Sequence, residues 1–419
     1  MIHGSIYKTI FVLFVFVQIL FPSVELITVL AFLISFAFLI EKRIHLPKSV
    51  FQVLFILGIL IFIGVIIGLL RFQEFYDYLR DIIHFSKPLL LILSGFLITR
   101  KVKDVSFLPR AIVYISLLFA IKHFAILVTA DLSSGTIAEL RLIAGGGNFI
   151  EILGFFFLVV FYKKKLLRIT ERTKAIFILI IGASIVLYFS RTMLIALVVF
   201  LLSAYGYTLL SRKAFEYAAF GLIVIGLFYA YLWTLNLDPD AKGLENYFYK
   251  IRNAPAEVFV TPGNYDSTSH KEIFDHWRGY EASMALQQME ENPMSYLIGN
   301  GFGSLVDLGF KAPIGGEDGL RYIPHFHNGY VYVFYKTGII GALFYLIIIF
   351  NLYKRGYVKT QTEYAKAMNR LISGFGIYFF VTTLVITGMY NLQEISVFLV
   401  GCFFALSFQF ENRKYQIAQ

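Results

Sequence analysis

Cysteine is nearly absent: Cys402 stands alone in 419 residues, so no internal disulfide can form. It lies inside an apolar run, and cysteine usage therefore says nothing about the redox compartment. Charge is scarce too. Asp, Glu, Lys and Arg make up 15% of the chain while 58% is hydrophobic, more apolar surface than a water-soluble core of this size can hide. The solvent implied is lipid. Neither an internal repeat nor a low-complexity tract is present. The net charge of +10 suggests nucleic acid only until the cations are located.

What the chain does have is long apolar runs. A bilayer of about 30 Å of hydrocarbon asks for roughly 17–25 apolar residues per helix. Twelve stretches answer, centred on 6–21, 24–40, 50–70, 82–99, 107–129, 149–162, 175–189, 192–210, 217–235, 331–352, 371–389 and 395–410. The first has no small-residue cleavage site and a second follows at once, so it reads as a retained helix rather than a signal peptide. The run 175–210 is broken only by Ser190-Arg191. As one helix it would be about 54 Å long, too long for a bilayer. With "KKKLLRITERTK" before it and "SRK" after it, two short spans meeting near Arg191 bring both basic clusters to one side.

Orientation follows from Lys and Arg. With the N-terminus inside, 23 of the 37 basic residues fall on the cytoplasmic side, and the outer remainder concentrates in one long loop. Both termini are then cytoplasmic, and the basic pI reflects topology with no need of nucleic acid. The expectation is an all-α polytopic integral membrane protein, residues 1–419 forming one transmembrane domain. Residues 236–326 form a large, partly helical outer loop between spans nine and ten. In that loop Trp277, Tyr280, Met284 and Ala285 recur at helical spacing, and Pro293 ends the run. "GNGFGS" (299–304) has no strand before it and reads as a turn, not a phosphate cradle.

Polar residues in or beside a membrane are costly and usually have work to do. Arg191, between two short spans, reads either as a snorkelling rim residue or as an anion site, since a guanidinium is permanently charged and forks onto phosphate oxygens. Arg278 reads as a solvated helix charge or a second anion contact. Lys122 reads as a snorkelling or a functional cation, and Lys336, inside its span, is equally open. His327 stands at the mouth of the tenth span, where an imidazole titrates near neutral pH and can take a proton from a hydroxyl. His325 is two residues away, and His270 and His276 lie in the same loop, yet "SHKEIFDH" is no zinc spacing, so no metal site is expected. Asp77 and Asp81, in "EFYDYLRD", read as solvated loop carboxylates. Tyr330, Tyr332, Phe326 and Trp277 read either as faces for sugar rings or as interface anchors.

Four segments in order carry a family resemblance. "RLIAGGGNFIEILGFFF" (141–157), "SRTMLIAL" (190–197), "RGYEASMALQQMEENPMSYLIGNGFGS" (278–304) and "HFHNGYVYVFYKTGIIG" (325–341) together resemble the O-antigen ligase and O-antigen polymerase superfamily of bacterial envelope enzymes. The last segment fits the ligase-type pattern of His327-Asn328, nine residues, then Gly338 and Gly341. His325 departs from it, as a histidine the pattern does not require.

The resemblance implies a GT-C-like glycosyltransferase of the inner membrane in lipopolysaccharide or surface polysaccharide assembly. It would move a glycan from undecaprenyl diphosphate to a sugar hydroxyl on the periplasmic side. The acceptor is a lipid A core for a ligase and a growing glycan for a polymerase. Membrane lipids and other polysaccharide-assembly proteins are the further partners, and no cofactor is implied. Carried over by position, Arg191 and Arg278 would hold the diphosphate and His327 would act as base. Arg141, Asn148, Lys122, His325, Asn328, Tyr330 and Lys336 are secondary candidates. Attack opposite the leaving group would invert the anomeric carbon, and no evident pair of carboxylates suggests a double displacement. The competing class is a polysaccharide flippase or other secondary transporter, which would show a pseudo-symmetric pair of halves and short connections; neither is visible.

Overall fold

The computed structural model describes residues 2–40, 45–129, 143–161, 166–238, 244–259, 273, 276–313, 319–392 and 395–412. Nine helices precede the long loop among them: α1 (Ile2–Leu20), α2 (Val24–Leu39), α3 (Lys48–Leu70), α4 (Phe75–Lys101), α5 (Phe107–Thr129), α6 (Asn148–Val160), α7 (Glu171–Leu187), α8 (Arg191–Tyr205) and α9 (Arg212–Thr234). The loop contributes α10 (Leu244–Phe259), α11 (Trp277–Glu290), α12 (Met294–Ile298) and the strands β1 (Val306–Ala312) and β2 (Leu320–Ile323). Helices α13 (Gly329–Tyr353), α14 (Glu363–Ile386) and α15 (Ser396–Asn412) complete the bundle.

Each of the twelve apolar stretches forms a helix. Among the described residues, six helices are long and apolar enough to cross a membrane (α3, α4, α5, α9, α13 and α14), and five shorter apolar ones accompany them. The protein is therefore a predominantly helical, polytopic membrane protein. Local sequence sets the helix starts. Ser23, Thr170, Ser211, Asn328 and Thr362 each accept a backbone N–H three residues on, at 3.1–3.2 Å, satisfying donors that the first turn otherwise leaves open.

α15 lies at the centre and is buried along nearly its whole length against α4 and α14. α2 and α3 pack on α4, α13 packs on α3 and α14, and α5 and α6 pair beside them. α9 differs: it meets α10, and most of its apolar side chains from Phe215 to Trp233 remain exposed, Leu232 being buried.

Two features of the loop and the α4 entrance depart from expectation. The loop contains an antiparallel hairpin, Val306 opposite Ile323 and Asp307 opposite Tyr322, which periodicity did not reveal because the strands are short and interrupted by a register shift. "EFYDYLRD" is not a solvated loop. It forms the first turns of α4, where Asp77 pairs with Arg80 at 2.7 Å and Asp81 is 1% exposed. The local sequence is polar enough to pass for a linker, and its burial comes only from distant partners.

Candidate functional site

The break predicted near Arg191 exists and is sharp. α7 ends at Leu187 and α8 begins at Arg191, with Phe189 at φ +47°, a left-handed conformation that only a constrained corner imposes on a non-glycine residue. That corner sets the Arg191 guanidinium at a helix start, where it donates to the Lys250 carbonyl and lies 3.4 Å from Glu257. Glu257, on α10, also accepts from Arg278 of α11. Two permanent cations from distant parts of the chain thus share one carboxylate.

α11 carries the arrangement onward. Glu281 follows Arg278 by three residues, which places both on one side of the helix. The face formed by Glu281, Ala282, Ala285 and Met289 is buried, and Tyr280 Oη donates to the Leu308 carbonyl at 2.5 Å, so α11 is tied to β1. β1 is tied to β2 by Arg321, whose Nε and Nη2 reach both Asp307 oxygens at 2.8 and 2.9 Å and hold that carboxyl below its ordinary range. β2 ends at Ile323, and the chain then passes His325 and His327 beside α11 before entering α13.

His327 is fixed there by one oxygen. Glu281 Oε2 accepts the His327 backbone N–H at 3.0 Å and faces its ring Nδ1 at 2.8 Å. A carboxylate only accepts, so Nδ1 carries the hydrogen, and in the neutral ring Nε2 keeps its lone pair. The side chain is 47% exposed whereas Glu281 is 3% exposed, so the free nitrogen belongs to the accessible part of the pair. Arg191, Arg278 and His327 are accordingly linked through Glu257 and the Arg278–Glu281 turn of α11.

Beneath the histidines lies a second polar layer. Lys336 is fully buried, 2.5 Å from Asp81 Oδ2, and donates to the Ser304 carbonyl; Gly303 N–H donates to the same Asp81 oxygen at 2.7 Å. α13 breaks at Gly338 (φ +65°), and the "GNGFGS" turn serves the carbonyls that the break exposes: Asn300 N–H donates to Tyr335 O at 2.7 Å and Gly301 N–H to Lys336 O at 3.0 Å. His84 of α4 lies between Tyr332 Oη (2.8 Å from Nδ1) and the Tyr390 carbonyl (3.0 Å from Nε2). The carbonyl must accept, so Nε2 is protonated and Nδ1 receives the tyrosine hydrogen. The His84 ring stands 5.6 Å from that of His325. Burial, then the charge of Arg80, pushes His325 down to about 4.

The other expected residues divide. Asn328 caps α13 through Val331 N–H at 3.2 Å, and Tyr330 Oη donates to the Phe380 carbonyl at 2.7 Å. Lys336 has no exposed surface and ties α13 to α4 instead of facing a ligand. Tyr332 and Phe326, at 0% and 2% exposure, offer no face to a sugar ring; Trp277 is partly buried and stacks on Tyr280. Lys122 lies against the Ala144–Gly145 turn, 3.4 Å from the Ala144 carbonyl, and Asn148 opens α6. Arg141 and His270 fall outside the described residues. No three His, Cys, Asp or Glu side chains cluster as a metal site among the described residues. Sequence reasoning missed Glu257, Glu281 and His84. Glu281 carried one signal, a carboxylate on the buried face of a predicted helix.

A bundle of apolar helices with a loop that assembles cations and a carboxylate-held histidine at its mouth defines an integral membrane protein with an interfacial polar site. Residues 175–346, from α7 into α13, match the family whose description is O-Antigen ligase, which supports the resemblance to the O-antigen ligase/polymerase superfamily. The matched stretch includes Arg191, Glu257, Arg278, Glu281 and His327. No curated protein and no solved structure matches the chain.

Proposed function

We propose that the protein is a glycosyltransferase of the bacterial inner membrane that moves a glycan from undecaprenyl diphosphate to a sugar hydroxyl on the periplasmic side. The observation that carries this reading is His327, exposed, with Nδ1 engaged by Glu281, which itself lies one helical turn from Arg278. The acceptor hydroxyl attacks the anomeric carbon and its proton passes to His327 Nε2. The bond from that carbon to the diphosphate oxygen breaks, and the electron pair leaves with the diphosphate. Arg191 and Arg278 stabilise the growing negative charge, taking the diphosphate in place of Glu257. Glu281 stabilises the imidazolium and fixes the ring. Attack from the face opposite the leaving group inverts the anomeric configuration, and no metal is needed while two guanidiniums meet the diphosphate. Twelve spans with both termini cytoplasmic put the 236–326 loop in the periplasm, where the carrier-borne head meets the acceptor. Within the superfamily, the acceptor is either a lipid A core or a growing glycan.

Purified protein in detergent with a carrier-linked glycan donor tests this directly. Transfer with inversion is expected, unaffected by chelator, and His327→Ala lowers it by about 100- to 10,000-fold, the worth of a general base. Full activity in His327→Ala removes the base; loss of activity with chelator removes metal independence; no transfer by the wild type removes the enzyme. The surface glycan of a deletion strain decides the acceptor: a single repeat unit still joined to core marks a polymerase, no attached glycan a ligase.

A further inference from the structure

The two sides of the His325–His327 segment differ in charge balance. Towards α10 and α11, among the described residues, Arg191 and Arg278 share the carboxylate of Glu257. Towards α4 two cations each meet a carboxylate of their own: Asp81 takes Lys336 at 2.5 Å, and Asp77 takes Arg80 at 2.7 Å. The first pair is sealed, at 0% and 2% side-chain exposure. The second is partly open, at 26% for Arg80 and 16% for Asp77.

The open pair sits on the face of α4 that meets the histidines. Asp77 is three residues before Arg80 and four before Asp81, and His84 is four after Arg80 and three after Asp81, so all four lie along one side of the helix. His84 is 5.6 Å from His325 by ring centroids, and Arg80 lies one turn from His84, towards the start of α4. Of the charged groups that act on His325 (Arg80, Lys336, Glu281 and His327), Arg80 acts most strongly. Arg80 Nε donates to nothing among the described residues, and its guanidinium lies 5.8 Å over the exposed Tyr76 ring. A cation-rich recess suits a diphosphate. A charge-balanced guanidinium–carboxylate pair with spare donors and acceptors, beside a neutral imidazole and an exposed aromatic ring, suits vicinal hydroxyls of a sugar.

We propose that Arg80 and Asp77, with His325, form the acceptor subsite, holding the sugar whose hydroxyl is deprotonated at His327. This rests on the transferase reading above. The donor then lies on the α10–α11 side and the acceptor on the α4 side, with the base between them. Arg80 donates to sugar hydroxyl oxygens, and Asp77 accepts from sugar hydroxyls.

The test is steady-state transfer by the full-length protein in detergent, varying a carrier-linked glycan donor and, separately, a phosphate-free core oligosaccharide and a carrier-free repeat-unit oligosaccharide as acceptors. Arg80→Gln and Asp77→Asn are expected to raise the acceptor KM by about ten- to a hundredfold, the worth of hydrogen bonds to a charged partner, with the donor KM unchanged. Arg80→Lys recovers part of the loss, which a purely structural role would not allow once the variants melt like the wild type. The acceptor KM of the wild type should be insensitive to salt, as befits a neutral sugar. If Arg80→Gln fails to fold, Asp77→Asn and the salt dependence carry the test. A raised donor KM with an unchanged acceptor KM overturns the subsite in favour of a third diphosphate contact. An acceptor KM that climbs steeply with salt overturns it in favour of an anionic acceptor group. Absence of transfer by the wild type overturns the transferase reading and the subsite together, whereas a fully active wild type with indifferent variants overturns the subsite alone.

Discussion

At the scale of single residues, the site depends on carboxylates more than on the cations that first draw attention. Glu281 spends one oxygen on both the backbone and the ring of His327, and this selects the tautomer with Nε2 free. Glu281→Gln keeps the shape but removes the charge that stabilises an imidazolium, and its amide can present NH2 instead of oxygen. The expected result is a fall in kcat of about 100-fold, within the range of general-base catalysis, with the donor KM little changed; equal kcat values would deny Glu281 its role. His325 yields a stability prediction. Burial, helped by Arg80, pushes it down to about 4, and the unfolded chain would titrate near its ordinary value of about 6.5. Between these values the unfolded state binds more protons, so stability rises with pH across that window and falls on acidification. His325→Gln should flatten the dependence of melting temperature on pH between about pH 4 and 6.5, the window set by that linkage. An unchanged slope would mean that His325 is not the group responsible. Little of this was legible beforehand. His327 announced itself by standing at the mouth of an apolar run, but a glutamate 46 residues earlier carries no mark of the histidine it will meet.

At the scale of elements, the helices were readable because lipid imposes a length and an apolar composition that sequence displays directly. The break at Arg191 was readable for the same reason, since 36 apolar residues are too many for one crossing. The break inside α13 was not. Its apolar run continues through Gly338, and only the structure shows φ +65° there, with the Tyr335 and Lys336 carbonyls handed to the "GNGFGS" turn. The Gly-x-x-Gly of the ligase-type pattern thus has a structural cause at its first glycine. A Cβ at Gly338 would stand 2.3 Å from the Leu297 carbonyl oxygen and would meet a backbone angle that L-residues rarely adopt. Gly338→Ala should therefore cost at least about 1–2 kcal/mol from the left-handed angle alone, and the clash adds to it. Thermal melting in detergent measures this; a variant that melts with the wild type would show that the break relaxes freely. Activity should fall with it, because the same turn ends two residues before Val306, the start of the hairpin that leads to His325 and His327.

At the scale of the whole molecule, the question is what holds a polar loop in register over an apolar bundle. Within the loop α10 and α11 arrange the site, and beside the backbone bonds from Asn300, Gly301 and Phe302 the loop is attached to the membrane helices at the Asp81–Lys336 pair, whose members are 255 residues apart. Both side chains are buried, and their other partners, Gly303 N–H and the Ser304 carbonyl, belong to the glycine turn. The pair therefore joins α4, α13 and the loop at one point. Replacing such a pair by apolar groups can be neutral, but removing one partner leaves a bare charge in a place without water, at about 3–5 kcal/mol. Asp81→Asn and Lys336→Met should each destabilise the protein by that order. The double variant should be less destabilised than the sum of the two, because neither charge is then stranded. Melting of all four forms in detergent closes the cycle. Strict additivity would mean that the two side chains do not feel one another and that the loop is secured elsewhere. A favourable coupling with transfer lost in the double variant as well would mean that the ion pair sets the position of the loop in addition to its stability, since the uncharged replacements restore the fold without restoring the Lys336 bond to the Ser304 carbonyl.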